Sequence, residues 1–462
     1  MTTELLQQVR VIDPVSGIDN ITDVLIADGV IQGIAPNIPN TSPDTQIRDC
    51  RGLVLGPGLV DLYSHSGEPG FEERETLASF LQAAAAGGFT KVSILPDTSP
   101  AIDNPGLVAQ LQKRRQGAGG REQGAGGRGA GEAGGEITPR LSPNPQSPIP
   151  SPQSPIPNPQ YLAPLLHLWG AITLDVAGKQ MTELADLAAA GVVGFTDGLP
   201  LDNLSLVRRL LEYVQPLGKP VAFWPCDRQL SANGVMREGA DALRFGLPPI
   251  PPSAETTAIA ALLELVAATG NTQVHIMRVS TARSVELIAA AKAKGLPITA
   301  STTWLHLLLD TKAVKSYNTS LHLDPPLGNA SDVKALRQGV RTGVIDAIAV
   351  DHAPYTYEEK VQAFAEAPPG AIGFELALPL LWQNLVETGE FTALELWQAL
   401  STRPAQCIQQ KVSAFAPHHK AELTLFDPQK IWKVERKNLC TLSSNTSWLG
   451  QELKGRVIQT WL

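Results

Sequence analysis

Both ends of the chain alternate apolar and polar residues with the two-residue period of half-buried strands. Gln8-Val9-Arg10-Val11-Ile12-Asp13 runs into the turn Pro14-Val15-Ser16-Gly17, and Asp23-Val24-Leu25-Ile26 and Val30-Ile31-Gln32-Gly33-Ile34 follow. Far downstream, Ala421 to Phe426 and Gly455 to Thr460 have the same character. These segments predict a small β domain, a β-sandwich, built from residues 1–56 and 418–462. Over 57–417 the pattern changes to short Val/Ile/Leu/Phe runs, each followed by an amphipathic helix, which is how a parallel sheet wrapped by helices reads. Strands are predicted near Leu59 to His65, Lys91 to Leu95, His167 to Ile172, Val192 to Thr196, Val221 to Trp224, Val274 to Val279, Ile298 to Thr302 and Ala347 to Val350. That set suits an α/β fold with a TIM-like (β/α)8 barrel. One of the clearest helices is expected over Thr281 to Lys294: Ser280 or Thr281 can cap it, Val285, Ile288 and Ala289 share a face, and Gly295 ends it.

A length of 462 residues fits a barrel plus a satellite rather than one core. From about 116 to 160 the composition turns to Gly, then to Pro, Ser and Asn, which predicts a disordered insertion within the barrel because few side chains there can offset the entropy of ordering. Gly124 to Gly129 matches a GxGxxG string, but no strand precedes it, so a nucleotide site is not expected. The formal charge of −8 argues against a nucleic-acid partner. No apolar run is long enough for a membrane span, and the first residues lack the order of a secretory signal, so a cytoplasmic location is expected. Cys50, Cys226, Cys407 and Cys440 lie far apart without CxxC spacing, as reduced thiols do.

In a β/α barrel the chemistry collects at the carboxyl ends of the strands. There Pro57-Gly58-Leu59-Val60-Asp61, Glu68-Pro69-Gly70-Phe71-Glu72 and Ala83 to Thr90 closely resemble the opening of bacterial dihydroorotases, in the amidohydrolase superfamily. Glu238-Gly239, Gly246-Leu247-Pro248, Val279-Ser280-Thr281, Asp324-Pro325-Pro326-Leu327, Asp351-His352-Ala353-Pro354 and Lys454 to Val457 continue the resemblance in the same order. It implies reversible cyclisation of carbamoyl aspartate in pyrimidine biosynthesis. It also implies one or two zinc ions held by a His-x-His pair, a carboxylate or modified lysine, two further histidines and an aspartate that shuttles the proton. Imidazole and carboxylate suit so borderline-soft an ion, which makes hydroxide available near neutral pH.

Set against that family, ligands are missing. Tyr63-Ser64-His65 stands where the resemblance implies His-x-His, Trp224 where the fifth-strand histidine falls, and Arg278 where the sixth-strand one does. His65, Asp197 and Asp351 are the remnant ligands, with Asp351 the remnant catalytic residue. This set is insufficient for a binuclear site, and a mononuclear one would need Tyr63 or water. The family's substrate-carboxylate arginine and asparagine correspond to Gly67 and Asp324, and an added anion there should make dihydroorotate bind poorly. The expectation is a degenerate zinc site without cofactor, in which Arg278 lies between Asp197 and Asp351 as a substitute cation and Trp224 fills the vacated volume. The leading function is then a catalytically impaired dihydroorotase-like subunit, with aspartate transcarbamoylase implied as a partner by resemblance, or with self-association. The alternative is an active, zinc-dependent dihydroorotase or other cyclic amidohydrolase. His275, His306 and His352 are read as supporting or interior groups, and His167, His322, His418 and His419 as structure or surface.

Overall fold

A computed structural model describes residues 3–39, 44–118, 163–412 and 415–462. The insertion expected over 116–160 lies, from residue 119 onward, outside the described residues. The strands in chain order are β1 (Thr3–Asp13), β2 (Ile18–Ala27), β3 (Val30–Ala35), β4 (Thr45–Asp49), β5 (Val54–Pro57), β6 (Leu59–Ser64), β7 (Phe89–Ile94), β8 (Leu165–Gly170) and β9 (Gly194–Phe195). They continue with β10 (Val221–Phe223), β11 (Met236–Arg237), β12 (Pro249–Ile250), β13 (Val274–Ile276), β14 (Ile298–Thr303), β15 (Ala347–Ala349), β16 (Leu423–Lys433) and β17 (Glu452–Trp461).

The terminal strands join in one seven-stranded ladder of order β17-β16-β5-β1-β2-β3, with β4 beside β1. The small domain made from both chain ends is therefore present, as a single continuous sheet. A bulge between Leu6 and Val9 shifts the alternation of β1 by one residue, so that Leu6, Val9 and Val11 all enter a core shared with Leu423, Leu425 and Trp461, and the chain ends are tied together by burial as well as by hydrogen bonds.

The barrel strands run in parallel order from β6 through β7, β8, β9, β10, β13 and β14 to β15, each within two residues of its predicted span except β13, which ends at Ile276, three residues early. Side chains and single bonds join first strand to last: Asp61 accepts from Val350 N at 2.8 Å, Ser64 Oγ from His352 N at 2.9 Å, and His65 N donates to His352 O at 2.8 Å. Burial pushes the Asp61 carboxyl up to about 7. The predicted helix after β13 spans Ala282–Ala293, with Thr281 rather than Ser280 accepting at its N-cap.

Segment 440–446 crosses to the barrel and is pinned by two buried acids. Glu375 accepts from Cys440 N and Thr441 N at 2.8 and 3.3 Å. Glu75 accepts from Leu442 N and bonds His352 Nε2 at 2.8 Å, while Gly373 N donates to His352 Nδ1. Those partners place the His352 proton on Nε2. Burial raises the Glu375 carboxyl to about 7. A carboxyl whose folded pKa lies above its unfolded value stabilises most while protonated, so stability falls as pH rises from about 4.5 to about 7. Glu375→Gln keeps an acceptor for the two N–H groups but cannot ionise. Urea unfolding should show the variant gaining on the wild type across that window, by on the order of 3 kcal/mol at the alkaline end; parallel pH profiles would refute the assignment.

Candidate active site at the barrel mouth

At the carboxyl end of β13 the chain turns through Arg278, and at the end of β15 through Asp351. Both are non-glycine residues in left-handed backbone, φ 54° and 53°, a conformation that costs of order 1–3 kcal/mol each and persists only where surroundings over-determine it. The surroundings here are each other. Arg278 Nε and Nη2 donate to the two oxygens of Asp351 at 2.9 and 2.7 Å, a bidentate pair with Arg278 only 3 % and Asp351 17 % exposed. Nη2 also meets His65 Nε2 at 2.9 Å, and Nη1 donates to Gly198 O at 3.1 Å. Burial works against the Arg278 charge, but Asp351 outweighs it and holds the guanidinium pKa above its usual value.

His65 sits between that cation and a carboxylate on the neighbouring strand end: its Nδ1 lies 2.5 Å from Asp97 Oδ2. A guanidinium can only donate, so Nε2 carries the lone pair and the proton lies on Nδ1, toward Asp97. Burial pulls the His65 pKa down, and the charge and hydrogen bond of Asp97 more than offset it. Burial likewise pushes Asp97 up, and His65 and Arg278 hold it below the usual carboxylate range.

Tyr63 lies fully buried beneath these groups. Its hydroxyl accepts from Arg278 N at 3.1 Å and bonds Ser301 Oγ at 2.9 Å, which in turn meets His275 Nε2 at 2.8 Å. Burial raises the phenol and lowers His275 to about 3, and the Tyr63 oxygen, which the sequence offered as a spare ligand, is engaged by Arg278 N and Ser301. Trp224 fills the volume beside Arg278, with the guanidinium 4.7 Å from its ring centre.

Asp197 corrects the expectation that Arg278 would bridge two aspartates. Its oxygens accept from Ile172 N, Thr173 N and Thr173 Oγ1 at 2.8, 2.9 and 2.6 Å; it closes the β8 loop and does not line the barrel-mouth cavity. The place expected for it beside Arg278 is taken by His65, whose other nitrogen meets Asp97. Asp324 is likewise not an uncompensated anion, because Arg228 Nη1 donates to it at 2.8 Å. Gly67 cannot carry a side chain without rearrangement, since a Cβ there would stand 2.3 Å from Glu75 O. Sequence reasoning passed over Asp97, Arg74 and Arg228, all of which line the cavity. The place of Asp97 just past the end of β7 was the available signal.

Zinc, which the family resemblance implied, would use the lone pairs of His65 Nε2 and Asp351, and both face N–H groups of Arg278. Among the described residues no three His, Cys, Asp or Glu side chains are arranged to hold an ion. The donor set does not fit a zinc centre.

The sequence and the fold have known counterparts. A family model described as Dihydro-orotase-like matches residues 52–121, and one described as Amidohydrolase family matches 249–462. The chain is 42% identical to a "Probable dihydroorotase-like protein" of Synechocystis sp., over 99% of both chains. It is 34% identical to a "Dihydroorotase" of Syntrophus aciditrophicus, over 99% of this chain and 97% of that one. In fold it resembles the L-hydantoinase of Arthrobacter aurescens, with TM-score 0.76 and 20% identity over 100% of this chain and 94% of that one. With a β/α barrel, a sheet made from both chain ends and full-length relatives of this similarity, the chain belongs to the dihydroorotase-like family of the amidohydrolase superfamily.

Proposed function

We propose that this chain is a dihydroorotase-like protein of pyrimidine biosynthesis, acting in the cytoplasm, whose barrel mouth does not carry out metal-dependent hydrolysis. The observation that carries the reading is the Arg278 guanidinium, which engages both oxygens of Asp351 and Nε2 of His65. A fixed cation can replace the charge of a metal ion beside the carboxylate. It cannot bind water as a Lewis acid or lower its pKa toward neutrality, which is what zinc contributes in such hydrolysis. Both oxygens of Asp351 are moreover already occupied as acceptors by Arg278. With its hydrolytic chemistry absent, the chain would serve as an architectural subunit, and aspartate transcarbamoylase is the partner we propose on family resemblance.

Two measurements on the purified protein test this: elemental analysis for zinc, and hydrolysis of dihydroorotate followed by the loss of ring absorbance. We expect zinc far below one ion per chain and no turnover with or without added zinc. Stoichiometric zinc with turnover would establish the working enzyme instead. Co-purification from cells expressing both chains tests the partner.

A further inference from the structure

Part of the wall of the barrel-mouth cavity is made by two loops, 353–355 and 369–371. Asn445, which comes from the terminal domain and is only 6 % exposed, ties them together. Its Nδ2 donates to Ala353 O and Gly370 O at 2.8 and 3.2 Å, and its Oδ1 accepts from Tyr355 N at 3.2 Å. Its backbone oxygen accepts from Ile372 N at 3.1 Å. Two residues earlier Ser443 Oγ donates to the backbone oxygen of Arg74, which lines the same cavity. The segment between β16 and β17 thus crosses the rim as a strap, and one amide side chain carries its grip on both loops.

The other end of the strap rests on acids. Cys440 and Thr441 donate their N–H groups to Glu375, and Leu442 donates to Glu75. Both carboxyls are buried. Facing Glu375 are Glu75 from the turn ahead of the helix Leu77–Ala86, His352 across a small void, the Cys440 thiol of the strap and Arg456 on β17. Burial, with Glu75 beside it, pushes Glu375 up to about 7 against the pull of the two N–H groups and Arg456. The covered form is therefore favoured while Glu375 is protonated and loses ground as pH climbs through about 7. An opening that hydrates Glu375 gains about ten-fold in its equilibrium constant from about pH 6 to about pH 8.

We propose that segment 440–446 is a proton-controlled strap over the barrel mouth. With Glu375 uncharged the strap lies closed, and Asn445 holds the two loops in the cavity wall. When Glu375 ionises the strap lifts, releases both loops and opens the cavity on that side. A group outside the cavity thereby governs access to it. The device works whether or not the mouth holds a metal, so it goes beyond the function proposed above and does not depend on it.

The test is amide hydrogen exchange on the full chain, read by mass spectrometry with electron-transfer fragmentation and corrected for the intrinsic effect of pH. The reporters are the strap amides Cys440 to Leu442 and the loop amides Ala353 and Gly370, whose own acceptors are Ala371 O and His322 O rather than the strap. Protection of strap and loops should fall together by about ten-fold from about pH 6 to about pH 8, and should stay well below that of β7, the mark of local opening. Glu375→Gln should flatten both responses. Asn445→Ala should leave the response of the strap and remove it from Ala353 and Gly370. Loop protection that ignores pH in the wild type, a response that persists in Glu375→Gln, or loops that still follow pH in Asn445→Ala would overturn the proposal. Protection equal to that of β7 would do the same, because the strap would then open only with the whole fold. Urea midpoints establish that the variants fold; should Asn445→Ala fail to do so, the Glu375→Gln comparison decides alone.

Discussion

Arg278→Met lowers the free energy of unfolding by about 3–5 kcal/mol, the cost of breaking a buried ion pair from one side. The guanidinium is 3 % exposed and Asp351 17 %, so water replaces only part of what methionine removes. Asp351 is left in its left-handed turn with only His65 Nε2 nearby, at 3.7 Å. Gly198 O and the hydrogen bond to His65 lose their donors at the same time. Arg278→Lys keeps the charge but not the fork, so its loss should be smaller. Adding Asp351→Asn to Arg278→Met should recover part of the stability, because no unpaired charge remains. Equilibrium urea unfolding of the wild type, Arg278→Met, Asp351→Asn and the double variant closes the cycle. A wild-type midpoint for Arg278→Met, or strictly additive losses in the double variant, would show that the pair does not hold the mouth together.

The barrel was legible because its signals are local. Each strand is a short apolar run, and Thr281 accepting from Ser284 N at the start of Ala282–Ala293 is visible within a few residues of sequence. Even β9, reduced to Gly194–Phe195, keeps its predicted position, with Val193 N to Leu168 O and Thr196 N to Gly170 O extending the pairing on either side. Side-chain direction at the strand ends was less accessible. Asp197 has the right residue type at the right end of a strand, yet the Thr173 hydroxyl and two backbone N–H groups turn it into the β8 loop. Nothing local distinguishes that outcome from a turn toward the cavity. The Arg228–Asp324 pair joins residues 96 apart, and its members meet only because β10 and the loop after β14 open on the same rim. His65 and Asp97, at the ends of the paired strands β6 and β7, were closer to reach: adjacency of those strands in a barrel predicts that their end residues can touch. The domain that β1 to β5 share with β16 and β17 was readable from alternation. The pinning of segment 440–446 by Glu75 and Glu375 was not, because a buried carboxylate accepting backbone N–H groups leaves no periodic trace.

Glu255→Ala should cost as much as losing Arg278, about 3–5 kcal/mol, although Glu255 lies away from the cavity. It stands in the first turn of the helix Ser253–Thr269 and accepts from Ser280 N, Thr281 N and Thr281 Oγ1 at 3.0, 3.1 and 3.2 Å, and from Ser280 Oγ. Its other neighbour is Arg237, 1 % exposed, with Nη2 3.9 Å from Glu255 and 2.6 Å from Ser280 Oγ. Arg237 Nε has no hydrogen-bond partner among the described residues, and Glu255 is the carboxylate that stands beside this cation. Alanine leaves a buried guanidinium unpaired and two backbone N–H groups without an acceptor, each of the latter worth about 1–3 kcal/mol when unmet. Glu255→Gln retains one acceptor oxygen and should fall between. The consequence reaches the active-site rim because Ser280 follows Arg278 by two residues. The carboxylate that fixes Ser280 and Thr281 also fixes the backbone that keeps Arg278 left-handed and aimed at Asp351. Arg278→Met should therefore cost less in a Glu255→Ala background than in the wild type, the sign of coupling through a shared segment. Denaturant unfolding measures both terms; equal costs in the two backgrounds would separate the cluster from the ion pair and leave Glu255 with a packing role only.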